Sequence, residues 1–208
     1  AAISGETPIV VHEAVRIAGQ AVGRCSAARR RELGLRFVPE ERLGRGVVPE
    51  MHLADNSVLT GAGAGLVRHG IVQHRLAREF ARATIAQFSV KCDGELAPAN
   101  SLSGGNLQKF IVGREIRLAP RLMFVAQPTW GVDIGASMQI HQALIDLRNA
   151  GTAVLVISED LDELYALCDR LAVLARGRLS AALPTAQLPV EKLGVWMTGE
   201  FEAERTDA

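Results

Sequence analysis

The chain has 208 residues, 48% of them hydrophobic, which suits one globular domain or a domain carrying a subdomain. Lys+Arg and Asp+Glu balance at 23 each, so no net field recruits nucleic acid or acidic lipid. Three cysteines (Cys25, Cys92, Cys168) without paired spacing fit a reducing cytosol, no apolar run approaches a membrane span, and no signal peptide is visible, so a soluble cytosolic polypeptide is expected.

Residues through Glu6 read as the end of something rather than a start. Val15 to Val22, interrupted at Gly19-Gln20, reads as two short strands around a turn. Ser26 is an N-cap for a short basic helix through Leu33, which Gly34 ends. Leu35 to Val38 is a buried strand leading into Pro39-Glu40-Glu41-Arg42, and the glycines and prolines from Gly44 to Pro49 mark a loop. From His52 to Leu118 the pattern turns helical. Leu76, Phe80, Ala83 and Gln87 fall on one face, with Arg75, Arg78 and Arg82 on others. The Gly61 to Gly65 tract reads as a flexible connection, too short to link domains.

After Pro120 strands and helices alternate: strand 121–125, helix 135–149, strand 152–157, helix 160–168, strand 170–175, then a turn at Arg176-Gly177-Arg178 into one more strand. Short apolar strands separated by helices argue an α/β fold with a parallel, covered sheet. Trp196 and Met197 read as a hydrophobic patch on the core. The five histidines, 12, 52, 69, 74 and 141, show no metal spacing and read as surface or packing residues.

Ser101 to Phe110, SLSGGNLQKF, carries the most chemistry. It places a Ser-Gly-Gly turn at the start of a helix. Two bare glycines let backbone N–H groups approach a phosphate, Ser103 adds a hydroxyl donor, and the helix dipole favours the negative charge ahead of it. Alone, such a turn is common in ordinary loops. Here it is followed by the apolar run Arg121 to Val125, then Ala126-Gln127-Pro128-Thr129, then Asp133 in Gly131-Val132-Asp133-Ile134-Gly135.

That ordered series resembles the second half of an ABC-type ATPase: signature motif, Walker B strand, D-loop. The resemblance runs from about Ser4 to Gly199. It points to the C-terminal ATP-binding half of the tandem subunit that powers importers of simple sugars and nucleosides. It implies a P-loop-type parallel sheet, with residues 1–51 and 119–208 as the core and 52–118 as an inserted helical signature subdomain. A Walker A loop ends in Gly-Lys-Ser/Thr. The only lysines are Lys91, Lys109 and Lys192, none after a glycine, so the chain reads as truncated at its N-terminus.

Within the resemblance, Phe37 to Arg42 is similar to the Q-loop segment, with Glu40 where most members have glutamine. On its own that stretch reads equally as a charged turn after a strand. An active member ends the Walker B strand with Asp-Glu, for Mg²⁺ and for the attacking water. Those places fall on Ala126 and Gln127. Alanine has no ligand atom, and a glutamine amide can orient water but cannot take its proton. Thr152 to Leu161 resembles the segment presenting the switch histidine, yet Glu159 stands there, and a carboxylate repels a γ-phosphate. Ala126 to Thr129 is most similar to the nucleoside branch, although Trp130 replaces an arginine common there. Asp133 matches the D-loop and reads equally as a helix N-cap.

The resemblance implies that Ser103, Gly104, Gly105 and Asn106 complete, in trans, an ATP site whose P-loop lies in the other half. ATP and Mg²⁺ belong to the intact parent, and none is expected on this fragment. Implied partners are the N-terminal ABC domain of the same subunit, the membrane-spanning permease and, indirectly, a solute-binding protein; nucleic acid is not one. The implied location is the cytoplasmic face of the bacterial inner membrane. Strands 121–125 and 152–157 look too apolar for solvated edges, so self-association of the fragment is also expected. Two rivals stand beside this reading. One is a non-catalytic regulatory or scaffolding module. The other is a chromosome-maintenance ATPase of the SMC type, disfavoured because only about sixty residues without sustained heptads separate Glu40 from Ser103.

Overall fold

A computed structural model describes residues 2–201. The chain divides into two compact units, Ala1–Ile157 and Ser158–Ala208.

In the first unit, β1 (Arg16–Ile17) and β2 (Gln20–Ala21) form the expected hairpin, but it turns through Ala18 and Gly19, one residue earlier than Gly19-Gln20, and Gln20 already belongs to β2. Ser26 then caps α1 (Ala27–Glu32), accepting from the Arg29 amide at 3.4 Å. Arg30 of α1 is fully buried and donates to the carbonyls of Ile3 (2.7 Å), Gly23 (3.0 Å), Cys25 (3.2 Å) and Ala2. One guanidinium thus ties the first residues down, because a buried charge of this kind needs acceptors on every side.

The central sheet has three parallel strands in the order β3 (Leu35–Val38), β6 (Leu122–Ala126), β7 (Ala153–Ile157). Leu35 pairs with Leu122 and Phe37 with Phe124. The two phenylalanine rings stack at 4.9 Å on the face that packs against Ile17 and Val22 of the hairpin region. Strand alternation sends Met123 and Val125 to the other face, both fully buried.

Between β3 and β6 lie α2 (Leu53–Gly61), a hairpin of β4 (Val67–Arg68) and β5 (Ile71–Val72), α3 (His74–Gln87) and α4 (Gly104–Arg117). The helices pack in sequence, α2 on α3 and α3 on α4, and α4 also packs on β3 and on α5 (Ile134–Asn149). Ten consecutive-turn residues of α4 between Gly105 and Glu115 are buried, so it is the central helix of this unit. At Gly113 a Cβ would stand 2.4 Å from the Phe88 ring, which is why the ring can seat against the helix backbone.

Four expectations for this unit need correction. The Gly61 to Gly65 tract is not a flexible connection: Gly61 ends α2, buried with Leu66 where a Cβ would go, and Ala62–Ala64 continue as a 3-10 turn. The stretch from 52 to 118 is not all helix, because the β4–β5 hairpin interrupts it. The fully buried stripe of α3 is Ala77, Ala81 and Thr84, one residue round from the larger side chains, and Gln87 is exposed. Finally, the sheet is parallel but only partly covered. β7 is its edge, with Leu155 42% and Ile157 48% exposed, and among the described residues no strand pairs with its outer side.

In the second unit, α6 (Leu161–Leu167) is capped by Asp160, whose carboxylate accepts from the Glu163 amide at 3.2 Å. The expected strand over 170–175 is two short ones. β8 (Arg170–Leu171) pairs with β11 (Leu183–Pro184), and β9 (Leu174–Ala175) with β10 (Arg178–Leu179). The break lets Ser180 close the gap, its hydroxyl accepting from the Val173 amide at 2.9 Å. Leu171, Val173, Leu188 and Leu193, the last from α7 (Val190–Met197), form this unit's core. Trp196 packs against that core as expected, while Met197 is exposed.

Candidate functional site

The N-terminus of α4 carries no side-chain cap. Ser103 sits at the N-cap in extended conformation (φ −64°, ψ 156°), and its hydroxyl makes no capping bond to the helix. Its carbonyl accepts the Leu107 amide at 2.9 Å, so the amides of Gly104, Gly105 and Asn106 precede the first helical hydrogen bond. Ser103 and Gly104 are exposed. Three N–H groups without helical partners and an exposed hydroxyl thus lie at the positive end of a 14-residue helix dipole, with Gly105 buried and Asn106 half-buried.

Side chains from two other segments lie close against both glycines. A Cβ on Gly104 would meet Arg42 Nη1 at 2.9 Å, and one on Gly105 would meet Asp133 Oδ2 at 3.0 Å. Arg42 is the joint of the site. Its Nε donates to Gln108 Oε1 at 3.1 Å, and Nη2 donates to the Trp130 carbonyl. Gln108 Nε2 in turn donates to the Pro128 carbonyl at 2.8 Å. The segment after β3, the first turn of α4 and the loop after β6 are thereby stitched together. Lys109, also on α4, donates to the Ser89 carbonyl at 2.7 Å; burial holds its ammonium below the usual lysine range, and Asp133 opposes that shift by attraction.

Asp133 is the N-cap of α5, its Oδ1 accepting from the Ala136 amide at 2.9 Å. The capping reading of this aspartate is therefore correct, and the same carboxylate lies against Gly105 of α4. Glu40 occupies the exposed turn after β3. Ala126 ends β6, and Gln127 follows with φ of 49°, a left-handed conformation uncommon for a side-chain-bearing residue. Its amide donates to the Ile157 carbonyl at 2.7 Å, which pins the strand ending in place. Glu159 belongs to the second unit, exposed, one residue before the Asp160 cap.

The end of β6 does not fit a magnesium ion. Ala126 offers no side-chain oxygen there, and among the described residues no group of three His, Cys, Asp or Glu side chains could hold a metal. The structure thus gathers Ser103, Gly104, Gly105, Asn106 and Asp133 around the start of α4. Arg42 and Gln108, which join them there, were not singled out from the sequence, because their partners lie 66 and 88 residues away along the chain.

Solved structures similar to this chain include a nucleotide-free ATP-binding cassette from an ABC transporter, with TM-score 0.74, 18% identity, and coverage of 97% of this chain and 81% of that one. A second is a dimeric cassette in a post-hydrolysis state bound to ADP and Pi, with TM-score 0.67, 18% identity, and coverage of 81% and 72%. The fold is that of an ATP-binding cassette. No family model matches the chain. Curated relatives of this cassette include a nucleoside import ATP-binding protein of Lactococcus lactis, 40% identical over 169 residues, or 81% of this chain. Others are a ribose import ATP-binding protein of Chelativorans (38%, 83% of this chain) and a guanosine import ATP-binding protein of Bacillus subtilis (33%, 91% of this chain). The cassette spans about a third of their lengths, 33%, 31% and 38% respectively. No helix among its described residues is long and apolar enough to cross a membrane.

Proposed function

We propose that this chain is the signature-bearing part of the ATPase of an ABC importer for nucleosides or simple sugars, and that it acts on ATP held mainly by another domain. The observation that carries the reading is the uncapped start of α4, where an exposed Ser103 makes no capping bond and three amides precede the first helical hydrogen bond. In this role Ser103, Gly104, Gly105 and Asn106 stabilise charge on the γ-phosphate of an ATP whose P-loop belongs to the N-terminal cassette of the same subunit. The names and identities of the relatives support the importer assignment.

At its own half the chain is catalytically degenerate. Ala126 cannot ligate Mg²⁺, Gln127 cannot act as a base, and Glu159 brings negative charge to the switch position. ATP and Mg²⁺ belong to the assembled protein, and this chain alone holds neither. Core segments 1–51 and 119–208 with a helical subdomain 52–118 would divide the labour. The subdomain and the loop before it meet a membrane-spanning permease at the cytoplasmic face, and a solute-binding protein acts further upstream. The open β7 edge is the surface through which the isolated chain self-associates.

The test is ATP hydrolysis by the full-length protein with Ser103→Ala. A fall of about ten- to a hundredfold in kcat/KM is expected for loss of one donor to a charged group. The second reading, a scaffold that keeps the fold alone, is favoured by Ala126 and Gln127; unchanged hydrolysis in the Ser103→Ala protein would establish it.

A further inference from the structure

The hydroxyl of Ser103 has one proton and two lone pairs, and which of these faces a phosphate decides whether it helps or hinders. Asn106 settles the matter. Its Oδ1 accepts from the Lys91 backbone amide at 2.8 Å, and because that amide can only donate, the orientation of the Asn106 side chain is fixed. Nδ2 must then point the other way, where it donates to Ser103 Oγ at 2.9 Å. One lone pair of the serine is thereby occupied, and its proton has no acceptor among the described residues.

The usual arrangement at a helix start is different. An N-cap serine turns its oxygen to the amide two or three residues on, consuming one of the free backbone donors. Here the side chain of residue 106 replaces that backbone donor. The amides of Gly105 and Asn106 stay unclaimed, and the hydroxyl is left as a donor as well.

We propose that Asn106 is a positioning residue, whose amide, braced by Lys91, turns the Ser103 hydroxyl into a fixed donor towards a phosphate oxygen. The inference rests on the composite-site reading above. Asn106 need not touch the nucleotide to act; it keeps Ser103 from spending its oxygen on the helix. Asparagine suits the task because it is acceptor and donor at once. Aspartate would keep the bond to Lys91 but, as acceptor only, would draw the serine proton inward.

The experiment is a double-mutant cycle on ATP hydrolysis by the full-length protein, with Ser103→Ala, Asn106→Ala and the pair, plus Asn106→Asp. Thermal melts of the same proteins show whether each variant folds. Asn106→Ala and Ser103→Ala are each expected to lower kcat/KM about tenfold or more, with the double variant no worse than Ser103→Ala alone. Asn106→Asp, which preserves the Lys91 contact and shape, is expected to lose at least as much as Asn106→Ala, and it carries the test if the alanine variant does not fold. If Ser103→Ala is impaired while Asn106→Ala adds its own independent loss or Asn106→Asp matches wild type, the positioning role is wrong and the composite site stands. If Ser103→Ala is unimpaired, both fall together.

Discussion

Asn56 on α2 is fully buried and organises the loop that follows the Glu40 turn. Its Oδ1 accepts from the Val48 amide at 2.8 Å, and its Nδ2 donates to the carbonyls of Val48 (3.0 Å), Met51 (3.0 Å) and His52 (3.2 Å). Each of those carbonyls has a second partner, in the amides of Met51, Ala99 and Asn56. Asn56→Ala therefore orphans one donor, the Val48 N–H, and weakens three acceptors without stranding them. An unpaired amide costs about 1–3 kcal/mol and each lost bond about 1 kcal/mol or less, which gives a loss near 2–4 kcal/mol. For a chain of this size that lowers the melting temperature by about 5–15 °C. Asn56→Asp sharpens the test. Its second oxygen would face three carbonyl oxygens, so the folded state raises the carboxyl pKa and the variant loses stability as pH rises through the carboxylate range. At neutral pH it should melt below Asn56→Ala, and the gap should narrow on acidification. Circular dichroism melts at neutral and acid pH read both effects. An alanine variant that melts with wild type, or an aspartate variant indifferent to pH, would refute the reasoning.

Asp133→Ala removes the α5 cap and should cost about 1 kcal/mol in urea denaturation, with Asp133→Asn or Asp133→Ser recovering most of it; no loss would mean that the Ala136 amide finds another partner. The Arg45 guanidinium, 2.5 Å from Glu6, holds that carboxyl below its usual range, against a weaker opposing effect of burial. The stability it confers is present above the unfolded-state pKa and is lost as pH falls through the folded one, so Glu6→Gln should flatten part of the acid limb of a stability profile. At low micromolar concentration, sedimentation should show association of the chain that Leu155→Lys weakens; a clean monomer excludes the β7 edge as a contact. In the full-length protein, Ala126→Asp with Gln127→Glu should leave hydrolysis at this half unrestored until Glu159→His is added, and a clear rise in turnover from the pair alone would show that Glu159 matters less than argued.

Local chemistry made much of this cassette readable from its sequence. The Ser26 and Asp133 caps, the strand after Gly34 and the strands on either side of α5 each announce themselves within a few residues. The errors share a physical origin in packing. On α3 the large Leu76 and Phe80 drew attention, yet the close approach of α2 and α4 favours Ala77, Ala81 and Thr84 at the contact. The β4–β5 hairpin was missed because its turn places His69, at φ of 49°, beside Gly70, where a histidine gives little signal. The helix start at the Ser-Gly-Gly turn was legible, but its bracing was not: Lys91 precedes Asn106 by 15 residues, and Arg42 reaches α4 across 66.

Arg114 lies eleven residues beyond Ser103 on α4, fully buried, with its guanidinium on the carbonyls of Gly46 (2.9 Å) and Asn56 (3.1 Å) and on Glu115 (2.7 Å). One helix thus holds the loop at residue 46 near one end and presents the exposed Ser103-Gly104 turn at the other, about 16 Å away at 1.5 Å per residue. A packed helix does not stretch or bend locally without breaking its own hydrogen bonds. A push on the loop therefore arrives at Ser103 as a tilt of the whole lever, and the two ends cannot be set independently.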